Sequence, residues 1–313
     1  MPGIIAASSR DAALVRLGST LRESGYAFVT PTPATHARVN ARSGNEWARD
    51  AADVFGWSRP FRDAAIPGGM LSLMQDSGIA EPFADGWRAT LRLSSLNGDL
   101  FWHSAFPTSA PDSVFFGPDT YRFVGNLPPH AGVVRRAVDI CSGAGPGAIA
   151  VARHHPGAVV MMADINDEAL RLSRVNAQMA GLPMVSAHHS NLLAGVEGDF
   201  DLVVANPPYL LDRAERTYRH GGGELGAGLS LAIVDAAIER LSPGGVLVLY
   251  TGVAIVGGAD AFLRAATSRL AAAGMAWTYR ELDPDVFGEE LEEGPYAAAD
   301  RIAAVLLTAT KHR

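Results

Sequence analysis

Asn206-Pro207-Pro208-Tyr209 directly follows the apolar run Phe200-Asp201-Leu202-Val203-Val204-Ala205. A turn of this composition, at the end of a buried strand, can grip a planar amino group. The Asn206 side-chain carbonyl and the Pro207 backbone carbonyl are acceptors for the two hydrogens of an –NH2. The prolines remove competing backbone donors and hold the turn. Tyr209 adds a flat face for stacking and a hydroxyl. Taken alone, the tetrapeptide also reads as an ordinary strand-ending turn, because Asn-Pro is a common punctuator.

A second stretch, Val138-Asp139-Ile140-Cys141-Ser142-Gly143-Ala144-Gly145-Pro146-Gly147, has the pattern of a strand, a glycine-rich turn and a helix start. Gly143, Gly145 and Gly147 let a ligand approach the backbone, and a helix N-terminus offers free N–H groups. Nicotinamide, flavin and methyl-donor enzymes all use such a turn. Pro146 and Gly147 depart from the dinucleotide pattern G-x-G-x-x-G, which disfavours pyrophosphate. Asp164 closes the next strand, where a carboxylate can accept both ribose hydroxyls of an adenosine. Otherwise it is a helix-capping or solvated acid. Asp139 is either a structural strand-end acid or a group that receives a ligand's amino group or holds a water.

Together the glycine motif, Ala163-Asp164-Ile165-Asn166 and Asn206-Pro207-Pro208-Tyr209 resemble the class I S-adenosylmethionine-dependent methyltransferases, in the HemK/PrmC-like branch of small-domain N-methyltransferases. Phe116-Gly117-Pro118-Asp119-Thr120-Tyr121 is similar to the segment that covers the methionine end of the donor in that branch. Gly226-Ala227-Gly228-Leu229-Ser230-Leu231 is similar to its glycine-rich lead into the helix after NPPY. The resemblance spans roughly Ser113 to Thr308. It implies S-adenosylmethionine as cofactor, held by Asp139, Gly143, Gly145, Gly147, Asp164, Ile165, Thr120 and Tyr121. It also implies Asn206, Pro207, Pro208 and Tyr209 as the catalytic turn. One departure stands out: the family often has Asp-Leu after the third strand, whereas this chain has Ser190-Asn191-Leu192. Asn191 can still accept from the adenine amino group through its amide oxygen, or be a plain turn residue.

These motifs need strand ends to hold them, and strand and helix signals alternate through the C-terminal two-thirds. Strands are expected over Val134–Cys141, Ala158–Ala163, Val185–His188, Phe200–Ala205, Val246–Thr251, Ala276–Leu282 and Arg301–Thr308. Helices are expected over Gly147–His154, Asn166–Ala180 with Asn166 as N-cap, Leu229–Leu241 and Ala259–Ala273. This is an α/β pattern: a Rossmann-like, seven-stranded methyltransferase sheet with helices on both faces. Ligands in such sheets bind beyond the carboxyl ends of the strands.

The first part of the chain differs. Arg10–Ser24, Asn45–Phe55 and Gly69–Asp76 carry helical spacing. Arg88–Ser94 and Leu100–Ser104 alternate as strands around Asn97-Gly98, a hairpin signal. The expected division is a smaller, mainly helical substrate-recognition domain with a hairpin over 1–110, and a methyltransferase domain over 111–313. Trp47, Trp57, Trp87 and Trp102 are assigned to the core, with Trp102 and His103 the hairpin pair that can line a cleft.

The remaining candidates are weaker. Adjacent His154-His155 and His188-His189 point to opposite faces if extended, so no metal site is expected. Cys141 reads as a small packed residue, and one cysteine excludes an internal disulfide framework. Asp283-Pro284-Asp285 and Glu289-Glu290-Leu291-Glu292-Glu293 form either a solvated loop or a lid, and Glu224 sits on a glycine-rich loop near the expected site.

The 313 residues, 48% apolar and 19% charged, suit a globular protein with a substantial core. No run approaches a membrane span, and the N-terminus lacks a signal peptide, so a cytoplasmic enzyme is expected. Net charge is −7; of 26 basic residues one is a lysine, Lys311, leaving 25 arginines with no basic run. That balance ranks a protein glutamine amide or small-molecule nitrogen as acceptor above a nucleic-acid amino group. A catalytically idle donor-binding scaffold and a nicotinamide oxidoreductase are the competing classes. Oligomeric state is not read from the sequence.

Overall fold

The computed structural model describes residues 8–127, 133–212, 216, 218–292 and 294–312, and the chain divides into two units. One takes in the residues up to Ser109 with Ser113–Tyr121 and Arg174–Pro183; the other holds Ala110–Asp112, Arg122–Ser173 and Met184 onward. The N-terminal stretch 1–7 and Glu293 of the acidic segment lie outside the described residues.

In the first unit the Ser8 hydroxyl accepts the Asp11 N–H (3.1 Å) and starts α1 (Ser9–Glu23). Leu14, Leu17 and Leu21, three and four apart, form its buried face. Thr32 and Asp50 cap α2 (Pro33–Asn40) and α3 (Ala51–Phe55) in the same way, and α4 (Met70–Asp76) follows. The helix expected over Asn45–Phe55 shrinks to α3, because the extended Asp50 uses its carboxylate on the Asp53 N–H (2.9 Å). α2 has no counterpart among the expected helices, although Thr32-Pro33 is a helix-start signal.

Two hairpins complete this unit: β1 (Ala80–Phe83) with β2 (Gly86–Ala89), and β3 (Leu91–Leu96) with β4 (Asp99–Ser104). Asn97 and Gly98 both take positive φ (52° and 85°), as the central pair of a type I′ turn requires. The strand expected over Arg88–Ser94 is instead two strands, parted where the Thr90 N–H turns to the Ile79 carbonyl (2.9 Å). Trp102 and His103 are fully buried here. Asn176, on the helix that ends at Met179, brackets Trp102: Oδ1 accepts its N–H (2.8 Å) and Nδ2 donates to its carbonyl (3.1 Å).

After α5 (Pro118–Gly125) the second unit runs β5 (Arg136–Ile140), α6 (Pro146–His154), β6 (Val159–Asp164), α7 (Asp167–Met179), β7 (Ser186–His189), β8 (Phe200–Ala205) and α8 (Gly228–Arg240). It ends with β9 (Leu241–Val256), the short β10 (Ala259–Asp260), α9 (Ala261–Ala272), β11 (Ala276–Asp283) and β12 (Arg301–Thr310). The strand order is β11-β12-β9-β8-β5-β6-β7, with β10 pairing β9. From β7 to β9 the strands are parallel, and β12 runs antiparallel to both β9 and β11. The expected Rossmann-like sheet is therefore present, with an antiparallel flank. β9 extends past its expected end at Thr251 because β12 pairs along it as far as Ile255.

Strand parity distributes the helices. Val138, Ile140, Val203, Ala205, Leu247 and Leu249 share a core with Ile233 and Ala237 of α8 and Phe262 and Ala266 of α9. The intervening Asp139 points the other way, toward α6. Helices thus cover both faces. Among the described residues no helix is long and apolar enough to cross a membrane.

Candidate active site

Ile140 pairs with Ala163 of β6 on one side and with Ala205 of β8 on the other. The next residues, Cys141, Asp164 and Asn206, therefore come level at the carboxyl ends of three adjacent parallel strands, which lie roughly 5 Å apart. β5 is also where the strand order reverses, with β6 and β7 to one side and β8 and β9 to the other. Open α/β sheets bind ligands in the crevice at this switch point.

The turn after β5 is shaped by left-handed backbone at Cys141, Gly143 and Gly145 (φ 56°, 52° and 84°). The Gly143 N–H donates to Asp164 Oδ2 and the Asn166 N–H to Oδ1, each at 2.9 Å. Each carboxylate oxygen keeps lone-pair capacity for a ligand. Burial pushes the Asp164 carboxyl up, and the N–H groups of Asn166, Gly143 and Ile165 pull it back. Ile165, the neighbour in the expected set, is half exposed (50%). Asn166 caps α7 as expected, its Oδ1 accepting the Glu168 N–H (3.0 Å).

The three glycines do different work. A Cβ on Gly143 would meet nothing within 4 Å, so that residue faces open space. One on Gly145 would come within 2.9 Å of Met162 Sδ; one on Gly147 would lie 2.6 Å from Asp139 Oδ2 and 2.7 Å from Phe123. Gly145 and Gly147 are thus packing glycines that seat α6 against the sheet. Between them and Cys141, the buried Ser142 hydroxyl has no hydrogen-bond partner among the described residues. Nothing in the spacing of the motif singled Ser142 out.

Asp139 is 2% exposed, and its Oδ2 accepts the Ala148 N–H (2.9 Å). Burial raises its carboxyl to about 8; the Ala148 bond opposes this and the Asp164 charge adds to it. Cys141 is likewise held protonated by burial and by those two acids, which suits a packed thiol rather than a nucleophile. Asn191 follows β7 as an exposed turn residue whose carbonyl accepts the Ala194 N–H (3.1 Å).

On the β8 side Asn206 is half-buried, and its side-chain amide makes no hydrogen bond to a described residue. Pro207 is buried and Pro208 partly so. Tyr209 is only 7% exposed: its ring lies on Gly252 of β9, where a Cβ would come within 2.2 Å, and meets Phe287 edge-on at 5.9 Å. The Tyr209 face is therefore occupied within the fold. Tyr296, absent from the expected set, ties the following loop together: its hydroxyl accepts the Leu211 N–H (2.9 Å) and donates to the Leu225 carbonyl (3.2 Å).

In the acidic segment Asp285, Glu289 and Glu292 are exposed, while Glu290 is half-buried. Glu290 pairs with Arg219, and Arg219 also stacks over Phe287 at 5.7 Å. Arg219 and Glu290, with Leu211, Asp212, Arg216, Glu289, Glu292 and Pro295, line an open pocket of about 340 Å³. Glu224 is exposed on its glycine-rich loop. These contacts join residues some 70 positions apart, so no local pattern announced them.

Thr120 and Tyr121, expected at the donor, count with the first unit. Thr120 Oγ1 accepts the Gly117 N–H (3.3 Å), and the Tyr121 hydroxyl accepts the Thr30 N–H (3.0 Å). Among the described residues no group of three metal-ligating side chains forms.

Residues 119–255 match the family model of the methyltransferase small domain. That segment belongs to the methyltransferase small-domain family. Over 131 residues the chain is 33% identical to the ribosomal protein uL3 glutamine methyltransferase of Neisseria meningitidis, covering 38% of this chain and 43% of that protein. Over 125 residues it is 36% identical to the 4-amino-L-phenylalanine/4-methylamino-L-phenylalanine methyltransferase of Streptomyces pristinaespiralis, covering 37% and 43%. The chain thus spans less than half the length of these curated relatives. Among solved structures, TYW2 of M. jannaschii in complex with AdoMet shares the fold at a TM-score of 0.50 and 15% identity, over 72% of this chain and 87% of that one.

Proposed function

We propose that this chain is an S-adenosylmethionine-dependent N-methyltransferase acting on a planar, poorly basic nitrogen. The observation that carries the reading is the level register of Asn206 with the glycine turn and Asp164, with an Asn206 amide that no described residue occupies.

The residues present fit the donor. Gly143 leaves open space above the backbone, the buried Ser142 hydroxyl lacks a partner among the described residues, and Asp164 is held with lone pairs to spare. Asp164 would receive ribose hydroxyls, Ile165 and Asn191 would meet the adenine, and Asp139 and the glycine turn would support the methionine end. When bound, S-adenosylmethionine supplies an activated methyl group.

The chain's own task is alignment. Asn206 Oδ1 and the Pro207 carbonyl accept the two N–H hydrogens of the acceptor, turning its lone pair toward the donor side of the crevice. As positive charge grows on nitrogen these two dipoles stabilise it. Preorganised placement of this kind supplies up to about 7–11 kcal/mol in favourable systems. No strong base is required, because the methylated nitrogen is acidic enough to lose its proton to water.

The acceptor class favoured is a protein glutamine amide or a small-molecule amide or amine. Two relatives carry those activities in their names, and the net charge of −7 disfavours a phosphate-rich partner. Labelled-methyl transfer to fractionated protein, metabolites and nucleic acid from the source cells tests this. Label in the first two fractions is expected; label in RNA or DNA would reverse the ranking, and donor binding without any transfer would make the chain a scaffold.

A further inference from the structure

The first unit buries a guanidinium that no carboxylate balances among the described residues. Arg92 stands on β3 opposite His103 of β4, and 4% of its surface is accessible. Two hydrogen bonds hold it: Nε donates to the Ser104 carbonyl (3.2 Å), and Nη1 lies 3.3 Å from His36 Nδ1. The His36 tautomer follows from its other nitrogen. Nε2 lies 2.8 Å from the Trp57 carbonyl, which can only accept, so Nε2 carries the proton and Nδ1 accepts from Arg92. Nη2 donates to no described residue.

The surroundings leave the charge in place. The Tyr26 and Tyr121 hydroxyls bear on Arg92 together with His36 and His103, and burial lowers the guanidinium only to about 10, so it stays cationic at neutral pH. Burial and Arg92 hold His36 at about 4 and His103 well below its ordinary value, so both imidazoles are neutral. The buried Asp53 carboxylate is taken by Arg59 and Arg49. Hydroxyls gather beside the cation instead: Ser94 Oγ lies 2.7 Å from His103 Nε2 and is hydrogen-bonded to Thr30 Oγ1. Among the described residues His103 Nδ1 is buried without a hydrogen-bond partner. When Nε2 accepts the Ser94 hydroxyl, Nδ1 is a second unused donor.

A buried cation without a counter-charge is costly, because its desolvation is not repaid by an opposite charge. A ligand of opposite charge offsets that cost. We propose that the first unit holds a carboxylate-binding site, with Arg92 as its receptor and His103 Nδ1 as an auxiliary donor, for the carboxylate of a small organic or amino acid. A guanidinium suits that ligand because its planar donors match the two carboxylate oxygens. The site stands independently of methyl transfer in the second unit.

Melting of the full chain at neutral pH in sodium acetate and in acetamide, at ionic strength held constant with a bulky organic sulfonate, tests the site. Acetate is expected to raise the melting temperature by about 2–4 °C, while acetamide, which has a similar shape without the charge, leaves it unchanged. Arg92→Met should lose the acetate response. Equal melting of the unaltered chain in the two solutes would overturn the proposal, as would an acetate response that survives in Arg92→Met.

Discussion

The Gly143 N–H donates to Asp164 Oδ2 at 2.9 Å, joining the turn after β5 to the last residue of β6. The bond holds Gly143, in left-handed backbone (φ 52°), against a carboxylate that also receives the Asn166 N–H. The glycine turn and the acid thus act as one element rather than two neighbouring motifs.

Asp164→Asn keeps one carbonyl acceptor and removes the charge. Hydrogen bonds to a charged group contribute about 1.5–3 kcal/mol. Calorimetry should therefore show donor affinity falling by about 10- to 100-fold, while the melting temperature moves little. Unchanged affinity would remove Asp164 from the donor site.

Asn206→Ala removes the side-chain acceptor at the turn. Deleting one such donor or acceptor from a charge-stabilising site typically lowers kcat by about 10²–10³. Labelled-methyl turnover should drop on that scale with donor binding preserved. Full turnover in the purified variant would end the proposed role.

Asp139 gives stability a pH dependence with a definite sign. Folded, its carboxyl holds a proton up to about 8; unfolded, it loses it near 4. Between those values the folded state binds more protons, so this contribution to stability declines as pH rises and levels off above 8. Asp139→Asn can still accept the Ala148 N–H and should flatten the decline, melting higher than the parent at pH 8. Melting curves from pH 4 to 9 that run parallel for the two proteins would refute this.

Gly147→Ala would place a methyl 2.6 Å from Asp139 Oδ2 and 2.7 Å from Phe123. Overpacking of this kind costs about 1–3 kcal/mol. A reduced denaturation midpoint is expected without a large change in denaturant slope.

Gly252→Ala would press a methyl to 2.2 Å from the Tyr209 ring and displace the tetrapeptide turn. Turnover should fall beyond the loss of folded protein, as measured by activity per folded molecule. Equal specific activity would show that Tyr209 packing does not set the turn.

Much of the second unit was legible in the sequence because its signals are local. Phe200–Ala205 is a continuous apolar run, and the structure shows a strand with those bounds. Asn166 announced a cap through its residue type and the acids that follow it. The first unit was harder to read. Asp50 decides where α3 begins, and Thr90 parts two strands that share one apolar pattern.

The residue order by itself determined the strand–helix alternation, the glycine turn and the Asn-Pro-Pro-Tyr turn, since each depends on neighbours a few positions apart. The tertiary structure alone decided which groups meet. Ile140 pairing with both Ala163 and Ala205 sets Asp164 and Asn206 level, and Gly252 and Phe287 claim the Tyr209 ring. Arg92 likewise reads as an ordinary arginine until the fold buries it beside His36 and His103, with no carboxylate against it among the described residues. Register, burial and charge balance are properties of packed elements, set by segments far apart in the chain, so no local stretch of sequence contains them.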